Sequence, residues 1–133
     1  ACISWSPKSL GSWLITKSIK WMVQNTDFRY FTAYSDPEAK ELGTIYQACN
    51  FIYLGKGSGV ARQYFDPENP KQGWFREREG VYRNSCHVRE VVSKHKYCYI
   101  LGKTKAETKS LKKLFIEKNP DKINLPYPKN RGE

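Results

Sequence analysis

One stretch of the sequence carries residue types that bind phosphate groups. Residues 7–12 read Pro-Lys-Ser-Leu-Gly-Ser and join a short apolar segment, residues 1–6, to the start of a predicted helix. Backbone N–H groups at such a strand-to-helix turn point toward a ligand, and the helix dipole favours negative charge there. The pattern matches neither the P-loop nor the dinucleotide fingerprint. We predict a pyrophosphate site at Lys8, Ser9, Leu10, Gly11 and Ser12, with a plain helix start, capped by Ser9 or Ser12, as the alternative.

A second stretch mixes basic and aromatic side chains between residues 74 and 97. Arg and Lys pair with phosphates, while Trp, Tyr or Phe can stack on an unpaired base. Three glutamates dilute the charge, so an ordinary salt-bridged surface is the alternative interpretation. The predicted nucleic-acid contacts are Trp74, Arg76, Arg78, Arg83, Arg89, Lys94 and Lys96.

A third group consists of thiol and imidazole side chains, which suit zinc. Cys86, His87, His95 and Cys98 lie within thirteen residues, but their spacing matches no closed zinc pattern. The adjacent Cys86 and His87 would also point to opposite sides of a strand. We predict no metal site and expect the cysteines, none of which forms a Cys-x-x-Cys pair, to be reduced thiols in a cytoplasm.

The charge balance favours a polyanionic partner. The chain has 133 residues and a formal charge of +10, from 23 Lys and Arg against 13 Asp and Glu. Residues 94–133 hold eleven Lys and Arg against four Asp and Glu. Nucleic acid is the first expectation for the partner and an anionic membrane surface is the second. No apolar run is long enough for a transmembrane helix, and no secretory signal is present. Between the two partners we choose nucleic acid and predict no membrane partner.

The elements that must position these residues alternate between strands and helices. Apolar residues at helical spacing predict a helix from Leu10 to about Asn25, and aromatic and β-branched runs predict the strands. The order implies one α/β domain over residues 1–133. The predicted elements are a strand at 1–6, a helix at 10–25, a strand at 28–34, a helix from 37 or 38 to 49, a strand at 51–54, a strand at 97–101, a helix from a Thr104 cap to about Glu117, and an extended tail at 125–129.

The predicted domain has three parts. Residues 1–59 hold the phosphate loop and the first strands, and residues 94–133 hold the last strand, a helix and a proline-containing tail. Residues 60–93 look irregular, so we expect a long loop with short elements, an insertion that carries specificity. The last helix should direct Leu111, Leu114 and Phe115 inward.

A tyrosine on a helix, five residues before an aromatic that opens a strand, resembles a junction of the GCN5-related N-acetyltransferase (GNAT) superfamily. There that tyrosine often protonates the departing CoA thiolate. In this sequence the two residues are Tyr46 and Phe51, and Asn50 stands where many members have glycine. Asn also tolerates the left-handed backbone that the junction requires. Residues 8–13 match part of the loop that holds the CoA pyrophosphate in that superfamily.

The central block more specifically resembles the Mom family of phage DNA-modification proteins. Residues 33–37, Ala-Tyr-Ser-Asp-Pro, and 43–55, Gly-Thr-Ile-Tyr-Gln-Ala-Cys-Asn-Phe-Ile-Tyr-Leu-Gly, follow the family pattern. Residues 94–97 and 125–129 also look like that family, so the similarity covers nearly the whole chain. Two positions depart from the pattern: Ala33 replaces the usual Ser, and Glu41 stands where His is common.

The resemblance implies a GNAT-like mixed sheet flanked by helices. It also implies an enzyme that uses acetyl-CoA or another acyl-CoA to help convert adenine in double-stranded DNA to its N6-carbamoylmethyl form. That modification shields phage DNA from restriction nucleases, in the host bacterial cytoplasm. Asp36 and Tyr46 would be catalytic, and Asn50 would join residues 8–12 at the cofactor. The alternatives are a helix N-cap for Asp36 and a core tyrosine for Tyr46.

A GNAT-like fold normally has strands and helices before the CoA loop, whereas this sequence begins at the strand that leads into it. We therefore infer the carboxy-terminal portion of a longer protein or a reduced relative. A missing amino-terminal portion or a homodimer would complete the sheet. Two alternative functions stay open: a non-catalytic basic nucleic-acid-binding or inhibitory module, and an acetyltransferase acting on a protein or small amine.

Overall fold

The computed structural model describes residues 6–57, 61–76 and 85–129 of the chain. Within these residues it is a mixed α/β fold, which confirms the predicted class. None of the helices in these ranges combines the length and the apolar character that crossing a bilayer requires. In chain order the elements are α1 (Leu10–Asn25), β1 (Tyr30–Ser35), α2 (Thr44–Ala48), β2 (Ile52–Lys56), β3 (Ala61–Phe65), β4 (Trp74–Arg76), β5 (His87–Val91), β6 (His95–Ile100) and α3 (Lys105–Lys118), with short 3-10 helices at Pro70–Gln72 and Pro120–Lys122.

The first sheet has the strand order β1-β6-β2, and both outer strands run antiparallel to β6. Ala33 and Tyr53 both stand opposite Tyr97, which fixes the register across the three strands. Because β1 and β2 run in the same direction, their carboxyl ends meet the amino-terminal end of β6 at one end of the sheet. Ser35 and Lys56 both pair with His95 at this end.

Helices cover both faces of the first sheet. On one face, α1 and the segment around α2 pack against the side chains of alternate β6 residues. On the other face, Leu111 and Phe115 of α3 pack against Leu54, Cys98 and Ile100. The predicted inward position of Leu114 is wrong, since 43% of it is exposed. The core of the first face comprises Ile19, Val23, Cys49, Phe51 and Tyr97.

The two long helices form as their sequences predict. Helix α1 spans Leu10–Asn25, and α3 begins after Thr104, whose hydroxyl accepts a hydrogen bond from the Glu107 N–H at 3.1 Å. The predicted side-chain cap of α1 is wrong. Ser9 occupies the N-cap in left-handed backbone with φ 68° and caps nothing, while the Ser12 hydroxyl donates to the Ser9 carbonyl at 3.0 Å.

The predicted helix from residue 37 or 38 to 49 is also wrong. Only the five residues of α2 are helical, and residues 36–41 form a turn closed by the Glu41 N–H and the Asp36 carbonyl at 3.0 Å. Lys40 and Gly43 have φ values of 57° and 73°, which a helix cannot contain. Because that helix does not form, the prediction that Asp36 is its N-cap is wrong as well. Ile45 of α2 is 38% exposed.

The predicted irregular insertion contains a second antiparallel sheet with the order β4-β3-β5. Its alternation of polar and aromatic residues is a strand pattern hidden by the many charges of the segment. Backbone hydrogen bonding continues from the end of β2 toward this sheet. The Gly57 N–H donates to the Lys94 carbonyl at 3.2 Å, and further along the chain β3 pairs with β5. Arg78 and Arg83 lie outside the described residues, as does nearly all of the predicted first strand. The GNAT-like arrangement, the division of the domain and the missing front half stay predictions.

Candidate functional site

A cavity of about 410 Å³ lies at the end of the first sheet, beside the turn between β1 and α2. The turn supplies most of its walls, because the left-handed residues around position 43 fold the chain back over the strand ends. Of the two predicted catalytic residues, Tyr46 lines the cavity and Asp36 directly follows Ser35 of the lining. The lining residues are Tyr34, Ser35, Lys40, Glu41, Leu42, Gly43, Thr44, Ile45 and Tyr46.

Asp36 is held by both of its carboxylate oxygens. Oδ1 accepts a hydrogen bond from the Glu38 N–H at 3.0 Å, which makes an Asx turn before Pro37. Oδ2 lies 3.4 Å from Nζ of Lys94, and the aspartate side chain is 29% exposed. The backbone N–H of Asp36 donates to Oε2 of Glu41 at 3.3 Å. The result is an oriented, partly exposed carboxylate that can accept a hydrogen bond or a proton from a bound amine.

Tyr46 lies at the wall between two cavities. Besides the first cavity, it lines a second one, also of about 410 Å³, between α1 and β1. Its ring contacts Phe51 and Tyr97 at centroid distances of 5.4 and 5.6 Å. Its hydroxyl forms no hydrogen bond to another described residue. The second cavity is lined by Leu14, Ile15, Ser18, Ile19, Phe31, Thr32, Ala33, Tyr46 and Phe51.

A buried hydrogen-bond network beneath the first cavity was not predicted. The Tyr97 hydroxyl donates to the Leu42 carbonyl, and the Gln47 amide donates to the Tyr97 oxygen at 3.2 Å. The same amide reaches the carbonyls of Leu42 at 3.1 Å and Pro128 at 3.4 Å. Burial raises the pKa of the Tyr97 phenol, and the hydrogen bond from Gln47 offsets part of that rise. The network fixes the cavity wall to β6 and to the carboxy-terminal tail.

A second polar contact lies where β1, β6 and β2 end together. The Tyr53 hydroxyl is 2.8 Å from Nδ1 of the fully buried His95. Ser35, opposite His95, is also buried, and no other described residue meets its hydroxyl at hydrogen-bonding geometry. That hydroxyl nonetheless lies close enough to the Tyr97 phenol to lower its pKa. In the sequence these residues lie in strands of alternating aromatic side chains. That pattern predicts a hydrophobic core and does not reveal the polar contact inside it.

The residues that were weighed as metal ligands lie apart. His95 belongs to the helix α1 face of β6, whereas Cys98 packs in the core on the α3 face. His87 lies on the second sheet. Burial raises the pKa of the Cys98 thiol above its ordinary value. Within the described ranges, no three His, Cys, Asp or Glu side chains form a group that could hold a metal ion.

The predicted pyrophosphate loop and the Tyr46 helix are neighbours. The Cys49 thiol donates to the Ser12 carbonyl at 3.5 Å, which joins the first turn of α1 to the end of α2. Asn50 has φ 59°, so the expected left-handed backbone at the junction is confirmed. The first turn of α1 holds no acidic residue and receives no side-chain cap, and Lys8 beside it is exposed. These features leave the turn open to an anion.

The predicted nucleic-acid residues divide between the two sheets. Trp74 and Arg76 belong to β4 and Arg89 to β5, all with exposed side chains. The Arg89 guanidinium lies 4.5 Å from the centroid of the Trp74 ring. Lys94 is paired with Asp36 at the first sheet, and Lys96 Nζ lies 5.9 Å from the Tyr34 ring centroid. The predicted cations that the structure describes are therefore divided between the two sheets.

A comparison with protein families shows what the chain is similar to. The sequence model of the Mom protein family matches residues 2–129 of the chain. No curated protein matches the sequence. The family match covers the second sheet as well as the first, so the predicted insertion belongs to the matched region.

Proposed function

The chain belongs to the Mom protein family, and we propose that it modifies adenine in double-stranded phage DNA. The product would be the N6-carbamoylmethyl form of the base, which shields phage DNA from restriction nucleases in the host cytoplasm. The observation that carries this proposal is the family match over residues 2–129. The oriented carboxylate beside a cavity supports it, because an exocyclic amine needs a partner that accepts its hydrogen.

We assign the contact with the adenine amine to Asp36. Its Oδ1 is held by the turn, and its Oδ2 has Lys94 at 3.4 Å, so the carboxylate is oriented before substrate binds. An amine that approaches Oδ2 would compete with the lysine for the same oxygen. A carboxylate in this position can orient the amine or take its proton while the base reacts.

Tyr46 is the second residue of the proposed site. Because its hydroxyl makes no hydrogen bond to another described residue, it is available to donate one to a ligand. Its place between the two cavities would let it contact groups in either of them. We propose that it acts as an acid or as a structural contact of the cofactor.

An acyl-CoA is the proposed cofactor, and the residues at the start of α1 fit its diphosphate. The backbone amides of Gly11 and Ser12 lie in an uncapped first turn without acidic residues, and Lys8 adds a positive charge. Asn50 would contribute at the junction after α2. When bound, an acyl-CoA supplies an activated acyl group. The residues of this chain would hold its anionic end and keep the acyl end close to Tyr46.

The test uses a plasmid in bacteria that express the chain, with the modified nucleoside measured by mass spectrometry after digestion of the DNA. We expect Asp36→Asn to abolish the modified adenine, because the amide cannot take a proton from the amine. Asp66→Asn is the matched control, since Asp66 makes the same turn with Glu68 at 2.9 Å. The control should retain the wild-type yield. An unchanged yield from Asp36→Asn, at equal protein level, refutes the assigned role.

A further inference from the structure

We propose that the open face of the second sheet binds an unpaired base of a DNA strand, with Trp74 as the stacking surface. Arg76 and Arg89 would hold the phosphates on either side of that base. The inference rests on the proposed function only for the identity of the ligand as DNA. The geometry of the sheet carries the rest.

The pairing register places three aromatic rings on one face. Residues directly opposite each other in antiparallel strands share a face, and Phe65 stands opposite both Trp74 and His87. The Phe65 ring centroid is 5.5 Å from that of Trp74 and 6.3 Å from that of His87. A row of rings therefore crosses all three strands, and the Trp74 side chain is 39% exposed.

Two of the three arginines of the sheet lie on the same face. Gln63 stands opposite both Arg76 and Arg89, so these side chains share the face of the rings. Nε and Nη2 of Arg89 both donate to Oε1 of Gln63, at 2.9 and 2.6 Å. With its guanidinium also 4.5 Å from the Trp74 ring centroid, Arg89 is oriented before any ligand binds. Its three other N–H groups donate to no other described residue and can meet an anion.

The opposite face of the second sheet has a different character. Tyr64 and Phe75 are buried there, and Arg62 stands opposite Glu90. Glu90 is the sole carboxylate in β3, β4 and β5, so within these three strands the face with Trp74 carries cations and no anion. This asymmetry matches a ligand with a flat apolar surface and negative charges next to it.

An unpaired nucleotide is the ligand that has both properties. Every base offers a π-face for an aromatic ring, and its phosphates pair with arginine. Chemistry on the adenine amine also requires a base outside the stack, because pairing occupies that amine. The second sheet is close along the chain to the candidate site, since β5 is followed within three residues by Lys94, which contacts Asp36.

The experiment measures binding of fluorescently labelled DNA by anisotropy, with a fully paired duplex and the same duplex carrying one unpaired adenine. We expect wild type to prefer the duplex with the unpaired adenine. Trp74→Ala should weaken binding of that duplex by about 5- to 100-fold and change binding of the paired duplex little, since stacking on one base has an effect of this size. Trp74→Phe should keep most of the preference. Trp21→Ala is the matched control, because Trp21 is 64% exposed on α1 and should change neither affinity.

Arg89→Lys separates stacking from charge. It keeps the positive charge but loses the planar guanidinium, so we expect a weaker preference for the unpaired adenine at an unchanged salt dependence. Equal losses of affinity from Trp74→Ala and Trp21→Ala overturn the proposal. So does a preference for the unpaired adenine that stays at the wild-type level in Trp74→Ala, Trp74→Phe and Arg89→Lys alike, when these proteins melt like wild type. Tighter binding of a single RNA strand than of DNA of the same sequence overturns the assignment to DNA.

The outcome is independent of catalysis. A chain that modifies no adenine but shows the Trp74-dependent preference would refute the proposed function and support this inference. A chain that modifies adenine without that preference would support the proposed function and refute this inference.

Discussion

Two strands of this protein are followed by the same three residues, Asp-Pro-Glu, and the two turns differ in their surroundings. Asp36 after β1 and Asp66 after β3 each accept a hydrogen bond from the N–H two residues later, at 3.0 and 2.9 Å. Asp36 is also paired with Lys94 and directly follows Ser35, which lines a cavity. The structure gives Asp66 no ion pair with another described residue. The local sequence determines the turn, whereas chemistry depends on what the rest of the fold brings to it.

The two sheets show the same contrast on a larger scale. Each has three antiparallel strands rich in aromatic residues. Tyr97, in the central strand of the first sheet, is fully enclosed and hydrogen-bonded. The second sheet leaves Trp74 exposed beside Arg89. Burial makes an aromatic ring part of the framework, while exposure next to a cation makes it available to a ligand.

The largest expected effect on stability comes from replacing one of two glycines that have positive φ. Gly43 has φ 73°, and a Cβ there would meet Cε2 of Tyr97 at 2.6 Å. Gly73, before β4, has φ 66° and nothing within 4 Å. We expect Gly43→Ala to cost about 2–5 kcal/mol, from backbone strain plus a clash with a buried ring, and Gly73→Ala about 1–3 kcal/mol, from backbone strain alone. Urea unfolding measures both.

The same pair of variants tests how the cavity depends on its walls. Gly43→Ala should also reduce the modified-adenine yield, because Gly43 lines the cavity, and Gly73→Ala should leave the yield per folded molecule unchanged. Equal destabilisation by the two substitutions would show that Tyr97 is free to move, which contradicts the rigid wall described above.

The next effect concerns buried tyrosines of the two sheets. Tyr97→Phe removes a hydroxyl that donates to Leu42 and accepts from Gln47, and leaves each of these half-buried partners with one hydrogen bond fewer. We expect a loss of about 1–3 kcal/mol in the free energy of unfolding. Tyr64 is equally well buried on the second sheet, and its hydroxyl forms no hydrogen bond with another described residue. Tyr64→Phe should therefore cost less than Tyr97→Phe, again by urea unfolding, and the reverse order would contradict the framework role of the first sheet.

The sequence predicted the parts of the fold that depend on local periodicity. Helix α1 and the Thr104 cap of α3 follow from apolar spacing and capping chemistry, which act within a few residues. The left-handed backbone of Asn50 was predicted as well. The helix at 37–49 was not formed, because the Asp36 side chain and the left-handed Lys40 favour a turn that apolar spacing does not reveal.

The candidate site was predictable only in part, for a related reason. Asp36 and Tyr46 stand out by their place in a motif, whereas Gln47, Tyr97 and His95 acquire their roles through contacts between distant segments. The Gln47 amide, for example, bonds to Tyr97 fifty residues later. The second sheet was missed because its arginines and glutamate made the segment look like a solvated loop, and only the pairing register separates its two faces.

The smallest expected effect compares two Glu–Arg pairs as the pH falls. Glu107 of α3 accepts from Arg29 Nε and from the Lys103 N–H, both at 2.7 Å, and the hydrogen bond from Arg29 is the main cause that lowers the pKa of Glu107 from its ordinary 4.5. Because the folded pKa is lowered, this stabilisation is present above about pH 4.5 and is lost as the pH falls through the folded value. Glu107→Gln should therefore lower the melting temperature at pH 6 and converge with wild type in acid. Glu90→Gln, opposite Arg62 on the exposed second sheet, should change the melting curve less at pH 6. A larger change from Glu90→Gln would mean that stability depends more on the facing charges of the second sheet than on the ion pair between Arg29 and Glu107.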